Sequence, residues 1–185
     1  LCIQTMVFEV TRKCNMACAH CLRGDDQNID LTDDIIDIAL KDVTYISTLV
    51  FSGGEPGLNV PAIQHTLEYC QQHNIYVNNF FIATNGKIIT NEFLKAVYAW
   101  YLYTAENNYD IESAMIMLSE DEWHGKINPK NKTKLAGFSF YQNEKRTEFL
   151  INEGRARNIN SSKKRENYDY TSLLSNPDNK TKEMC

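Results

Sequence analysis

No run of apolar residues in this 185-residue chain reaches the roughly 18 residues that a membrane-spanning helix needs. An excess of basic charge is missing too. The 19 Lys and Arg stand against 24 Asp and Glu, a formal net charge of −5, which excludes the general attraction of a nucleic-acid or membrane-surface binder. The opening Leu1-Cys2-Ile3-Gln4 lacks a charged n-region and a cleavage site, so no signal peptide is read there. The missing initiator Met is read as a trimmed start. The 6 cysteines lack the spread of a secreted disulfide framework: Cys14, Cys18 and Cys21 are clustered, whereas Cys2, Cys70 and Cys185 are scattered. That usage suits a reducing cytoplasm, which is the expected location, and a metal site.

What is present is ordinary globular material, with 43% hydrophobic and 23% charged residues, in a chain long enough to bury one core. The first two thirds alternate strand-like and helix-like segments. Met6 to Val10 reads as a strand, with the cysteine cluster directly after it. Thr32 is placed to N-cap a helix that carries Asp33 and Asp34 in its first turn, with Ile35, Ile36, Ala39 and Val43 as its apolar face. Thr48 to Phe51 is the second strand. Asn59 is the next N-cap, Pro61 is tolerated in the first turn, and Ile63, Leu67 and Cys70 share a face. Cys70 is therefore expected in the core, and His65 and His73 on the helix surface. Ile75 to Thr84 contains the third strand and ends in Asn85-Gly86. A third helix runs from about Asn91 to Ala105, and Ala114 to Leu118 is a fourth strand.

Such β-α repetition predicts a parallel sheet with helices outside it, curling toward a barrel through right-handed crossovers. Beyond Leu118 the pattern weakens. Residues 121–136 read as a poor helix. Phe138 to Tyr141 and Glu148 to Ile151 look like strands, too close together for a parallel crossover, which predicts a hairpin or an irregular end to the sheet. From Asn158 onward the chain is polar and basic and reads as a loosely held tail.

The run Thr11-Arg12-Lys13-Cys14-Asn15-Met16-Ala17-Cys18-Ala19-His20-Cys21 places three thiols at C-x3-C-x2-C spacing. Thiolate ligands in a tight loop suit zinc or an iron–sulfur cluster. Structural zinc wants four ligands, and here a fourth comes only from His20 or from a distant residue such as Cys2. A [4Fe–4S] cluster held by three thiolates leaves one iron open to a substrate or cofactor. The second unusual segment, Ser52-Gly53-Gly54-Glu55-Pro56, follows the second strand.

Together these two motifs resemble the radical S-adenosylmethionine (SAM) superfamily: the C-x3-C-x2-C loop after strand one, with an aromatic ring before its third cysteine, and the GGEP segment after strand two. The resemblance covers roughly residues 5 to 120. It implies an α/β fold of the partial (βα)6 barrel type, abbreviated or irregular after the fourth strand. It implies a core domain over 1–157, with 158–185 as a polar tail. By the same resemblance Cys14, Cys18 and Cys21 hold a [4Fe–4S] cluster whose open iron binds SAM. Reductive cleavage of SAM to a 5′-deoxyadenosyl radical then abstracts hydrogen from a substrate.

The resemblance also implies roles for single residues. His20 takes the position whose ring packs near adenine. Gly53, Gly54, Glu55 and Pro56 surround the SAM ammonium, with Glu55 adding a negative charge beside it. Asn85, in Thr84-Asn85-Gly86, presents polar atoms toward SAM, or else forms a plain Asn-Gly turn. Ser119 and Asp121, with His124 nearby, lie near the SAM ribose or carboxylate, or else cap a helix at the strand exit. Gly154-Arg155-Ala156 resembles a GRA segment found late in some members. Cys185 is compatible with the first residue of a lost cysteine-rich extension. The implied electron donor is a flavodoxin or ferredoxin, and the favoured substrate is a peptide or protein. Two alternatives stay open: an activase that makes a glycyl radical on a partner enzyme, and a non-catalytic zinc- or cluster-binding interaction module.

Overall fold

The computed structural model of the chain describes residues 1–107, 115–137, 141–144, 150–151, 153–160 and 164–165. Five strands form one parallel sheet in sequential order: β1 (Cys2–Thr11), β2 (Tyr45–Gly53), β3 (Tyr76–Thr84), β4 (Ile116–Ser119) and β5 (Tyr141–Glu144). The crossovers carry α1 (Asp33–Leu40), α2 (Val60–Gln72), α3 (Asn91–Asn107) and α4 (Pro129–Ala136). Sequential order with right-handed crossovers puts every helix on one face, and this is how a (βα) barrel begins to curl. The fold is the α/β class with a partial barrel that the two motifs implied. No helix among the described residues is long and apolar enough to cross a membrane.

The core lies between the sheet and these helices. Phe8, Val10, Leu49, Phe51, Phe80, Ile82, Ile116 and Leu118 come from the strands. Ile36, Leu40, Ile63, Leu67, Cys70, Phe93, Val97, Trp100 and Leu135 come from the helices. Trp100 is the hub: it has no exposed surface, its ring centroid lies 5.3 Å from that of Phe51 and 5.7 Å from that of Phe80, and its indole N–H donates to Ile63 O at 3.0 Å.

Several expected local features differ in detail: Thr32 stands at the start of α1 but makes no side-chain cap, and Ala39 is exposed. In α1 the buried face is Ile36 and Leu40, whereas Ile35 is 52% exposed, because only the i, i+4 pair points at α2 and the sheet. Asn59 does stand at the start of α2 but makes no side-chain cap. Its amide donates instead to Val10 O at 2.6 Å and Leu31 O at 3.3 Å, tying the helix entry to β1.

The region after β4 also differs from expectation. Residues 129–136 do form a helix. Pro129 opens it, the Asn128 side chain accepts from Lys130 N at 2.9 Å, and Leu135 is fully buried. Lys130, Lys132, Lys134, Leu135 and Ala136 all favour a helix, and Gly125 lies before it. This helix supplies the crossover that lets β5 join parallel to β4. The next strand-like segment, Leu150–Ile151, does not return as a hairpin partner. It pairs with Lys164–Arg165 in a separate two-stranded sheet. Of the expected polar tail only 158–160 and 164–165 are described, and Cys185 lies outside the described residues.

Candidate metal centre

All the chemistry-bearing motifs leave the C-terminal ends of the strands, the end at which parallel α/β folds gather their sites. The cysteine loop is a closed excursion whose two stems are zipped together. Leu31 N donates to Val10 O at 2.9 Å, Arg12 N to Ile29 O at 2.8 Å, and Gln27 N to Arg12 O at 3.0 Å. Thr11, fully buried, accepts from Lys13 N at 3.1 Å through a hydroxyl that lies 2.6 Å from Asp30 Oδ1. Lys13 pairs with the same carboxylate, and these two partners hold Asp30 below its ordinary range. Inside the loop, Cys21 N donates to Cys18 O at 3.1 Å and Gly24 N to Cys21 O at 3.2 Å.

Cys14, Cys18 and Cys21 are free thiols, each half-buried. Burial pushes the Cys14 and Cys18 thiols up, and the other thiols of the loop push the same way. Among the described residues no three Cys, His, Asp or Glu side chains converge on one point. Cys14, Cys18 and Cys21 therefore share one short loop without being drawn onto a common point; the donor set, three thiols and no fourth in the loop, is one that suits a soft metal group with a position left open.

The glycine pair after β2 is pressed against this loop. Gly53 pairs with Thr11 across a register shift at φ +143°, and a Cβ there would sit 2.3 Å from Thr11 O. At Gly54 a Cβ would sit 2.0 Å from Lys13 O and 3.1 Å from Cys14 Cβ. Only glycine permits that approach. Gly54 N donates to Thr11 O at 2.7 Å and Glu55 N to Lys13 O at 2.9 Å, so the two motifs are joined backbone to backbone. Pro56, buried, opens a 3-10 turn over Pro56–Leu58.

Glu55 has no exposed surface. Its Oε1 accepts from Thr84 Oγ1 at 2.6 Å and Gly57 N at 3.2 Å, and its Oε2 from Asn85 N at 2.8 Å. Burial pushes its carboxyl up against these donors. The carboxylate fastens the GGEP segment to the end of β3. Asn85 carries the connection onward: its amide donates to Asn15 Oδ1 at 2.8 Å, back across to the cysteine loop. Cysteine loop, GGEP and TNG therefore form one hydrogen-bonded ring. The link at Asn15 spans 70 residues of sequence and has no local signal.

After β4, Ser119 is half-buried at the strand end. Asp121 closes the following turn, its Oδ1 accepting from Trp123 N and His124 N, each at 2.9 Å, and meeting His124 Nδ1 at 2.8 Å. Burial opposes ionisation of Asp121, but these donors outweigh it and hold the carboxyl low. Asp121 thus closes a turn and caps no helix, since the next helix begins only at Pro129. The turn aims two rings at the cysteine loop. His124 meets the His20 ring edge-on at 4.7 Å, and Trp123 lies 5.4 Å from it. Burial, then the neighbouring His124, holds the His20 imidazole below its ordinary range. Trp123 was not foreseen; its only sequence signal is its place two residues after Asp121.

The late Gly154-Arg155-Ala156 segment reaches the same place. It forms a 3-10 turn over Gly154–Asn158, and Arg155 N donates to Cys21 O at 2.9 Å. Gly154 has φ +55°, and a Cβ there would sit 2.4 Å from Leu22 O. Two buried side-chain polar atoms among the described residues have no hydrogen-bond partner, His20 Nδ1 and Arg155 Nε, and both belong to this site. Two orphaned buried polar atoms, one within the three-thiol loop and one on the turn packed against it, fit a polar group bound there.

The model of the radical SAM superfamily matches residues 8–99, which contain both motifs. An uncharacterized protein of Methanocaldococcus jannaschii is 28% identical over 97 residues, 50% of this chain and 34% of that protein. The aligned part thus spans about a third of the length of the curated relative. Among solved structures, native anSMEcpe with bound AdoMet matches at TM-score 0.45 and 18% identity, over 70% of this chain and 37% of that one. Streptococcus suis SuiB bound to precursor peptide SuiA matches at TM-score 0.40 and 17% identity, over 65% of this chain and 24% of that one. With the cysteine loop and GGEP clamped together inside the matched span, the chain belongs to the radical SAM superfamily.

Proposed function

We propose that the chain is the catalytic core of a radical SAM enzyme in which Cys14, Cys18 and Cys21 hold a [4Fe–4S] cluster. One observation carries this reading. Three free thiols, with no fourth in the loop, are bolted by backbone hydrogen bonds to a glycine pair that admits no side chain. When bound, such a cluster supplies the electron for reductive cleavage of SAM. The residues of this chain bind and orient around it. Gly53 and Gly54 expose backbone at close range to Cys14, and Pro56 stiffens that turn. Glu55 acts through Thr84 and Asn85, fixing the loops against each other, because its carboxylate is already filled by three donors. His20, braced by Trp123 and His124, offers a flat face for adenine. Asn85, Ser119 and Asp121 border the space toward the ribose and carboxylate. The reductant is a flavodoxin or ferredoxin, and the substrate a peptide or protein in a reducing cytoplasm.

The test is anaerobic purification with iron and sulfide analysis, followed by EPR of the reduced protein with and without SAM. The reading expects about four irons per chain, a spectrum that changes on adding SAM, and 5′-deoxyadenosine as product. A zinc-containing, EPR-silent protein that was never exposed to air would sink it.

A further inference from the structure

The mechanism just described leaves one charged group at the site unused. Arg155 comes from a turn far along the chain, yet that turn is packed on the cysteine loop. The Arg155 N–H holds Cys21 O at 2.9 Å. Gly154 beside it is packed on the Cys21 and Leu22 carbonyls so closely that any Cβ would collide. Its Nε is buried with no acceptor. The guanidinium meets one carboxylate, Asp25, at 3.4 Å, and that carboxylate is 89% exposed while the Arg155 side chain is 24% exposed. A solvent-exposed counter-ion neutralises a half-buried cation only in part.

We infer that Arg155 is a positioning residue of the metal centre: its backbone clamps the ligand loop at Cys21, and its guanidinium stabilises the anionic charge of the metal–thiolate group. This inference rests on the proposed function for the identity of that group. A [4Fe–4S] cluster with three thiolates is already net anionic, and one-electron reduction adds a further negative charge without a proton. A fixed cation nearby therefore favours the reduced form and raises the potential. Arginine suits the task because it stays charged when buried.

The experiment compares wild type, Arg155→Lys and Arg155→Met in two assays, with thermal melts to confirm folding. In reconstituted protein, the potential is read by EPR-monitored redox titration. Arg155→Met should keep its iron and become harder to reduce, by about tenfold in the reduction equilibrium, about 59 mV for one electron. Arg155→Lys should recover most of the shift. In the second assay, cobalt(II) is titrated into reduced, cluster-free protein. Cobalt(II) held by three thiolates is a net anionic complex, so Arg155→Met should weaken cobalt affinity and Arg155→Lys should largely restore it. Unchanged potential in a protein that does assemble its cluster overturns the role of Arg155 and leaves the proposed function standing. Arg155-dependent cobalt binding in a wild type that assembles no iron–sulfur cluster does the reverse. Unchanged cobalt affinity in Arg155→Met overturns the inference whatever the native metal. Should Arg155→Met fail to fold, equal potentials and equal cobalt affinities for Arg155→Lys and a charge-neutral Arg155→Gln overturn it as well.

Discussion

The helix-covered face of the sheet and the loops at its C-terminal ends grow from the same strands but are held in different ways. The covered face is apolar and many-sided. Trp100 touches β2, β3 and α2, and its neighbours Phe51 and Phe80 are also fully buried. The loop end depends on single contacts: Gly54 against Lys13, Glu55 against Thr84 and Asn85, Asn85 against Asn15, Arg155 against Cys21. Core packing spreads its energy over many small contacts. A ring of individual hydrogen bonds sets positions while adding comparatively little stability. Changes in the first region should therefore be read as unfolding, and changes in the second as loss of the metal centre from a folded protein.

The contrast is broken most sharply at Trp100. Trp100→Ala removes the hub of the core and should cost about 3–5 kcal/mol in urea unfolding. A loss within a few tenths of a kcal/mol would mean that the covered face is not the source of stability.

Gly54→Ala tests the other region. Its methyl would lie 2.0 Å from Lys13 O, so the GGEP and cysteine loops must part. We expect about 1–3 kcal/mol of destabilisation from overpacking and loss of most iron uptake on reconstitution, in a protein with unchanged circular dichroism. Iron at the wild-type level would show that the two loops do not need each other.

Glu55→Ala sharpens the comparison because this carboxylate is buried like a core residue but bonded like a loop residue. Three donors, from Gly57, Thr84 and Asn85, would lose their acceptor. The expected cost is about 1–3 kcal/mol, together with weaker SAM binding measured by equilibrium dialysis. Destabilisation with SAM affinity intact would assign Glu55 to the core alone.

The smallest effect is expected behind the core, at Tyr103. Its hydroxyl donates to Ile75 O at 2.6 Å, and burial, then Cys70 and Glu106, pushes its pKa from 10.0 up to about 12. Burial pushes Cys70 from 9.0 to about 12 as well. Both groups hold their protons more tightly folded than unfolded. Their contribution is thus complete below the ordinary values and is lost as pH climbs from 9.0 toward about 12. Tyr103→Phe should cost about 1 kcal/mol at neutral pH and flatten the decline in melting temperature above pH 10.0. An alkaline decline identical to wild type would remove Tyr103 from the account.

Much of this was legible in the chain before its structure. The apolar period of α2 and α3, the strands ending at the cysteine loop and at GGEP, and the buried place of Cys70 all follow from patterns a few residues long. The end of the sheet was less legible. α4 depends on a cap and one buried leucine that composition does not weigh, and the strand-like segments after it are too short to announce which partner they take. Asp121 shows the same limit within the site. Its spacing from β4 was visible, but its service to His124, and through it to His20, required the turn to be built.

By itself the sequence determined the period of each element, the three thiols in one short loop, the glycines that allow close approach, and the family these features share. Those properties depend on neighbours along the chain, so spacing is enough to state them. Only the tertiary structure decided that Asn15 meets Asn85 across 70 residues, that Glu55 turns inward to bind rather than outward to solvent, and that Arg155 closes on Cys21. Those contacts depend on which strand ends the parallel sheet brings side by side, and no local pattern encodes that distance.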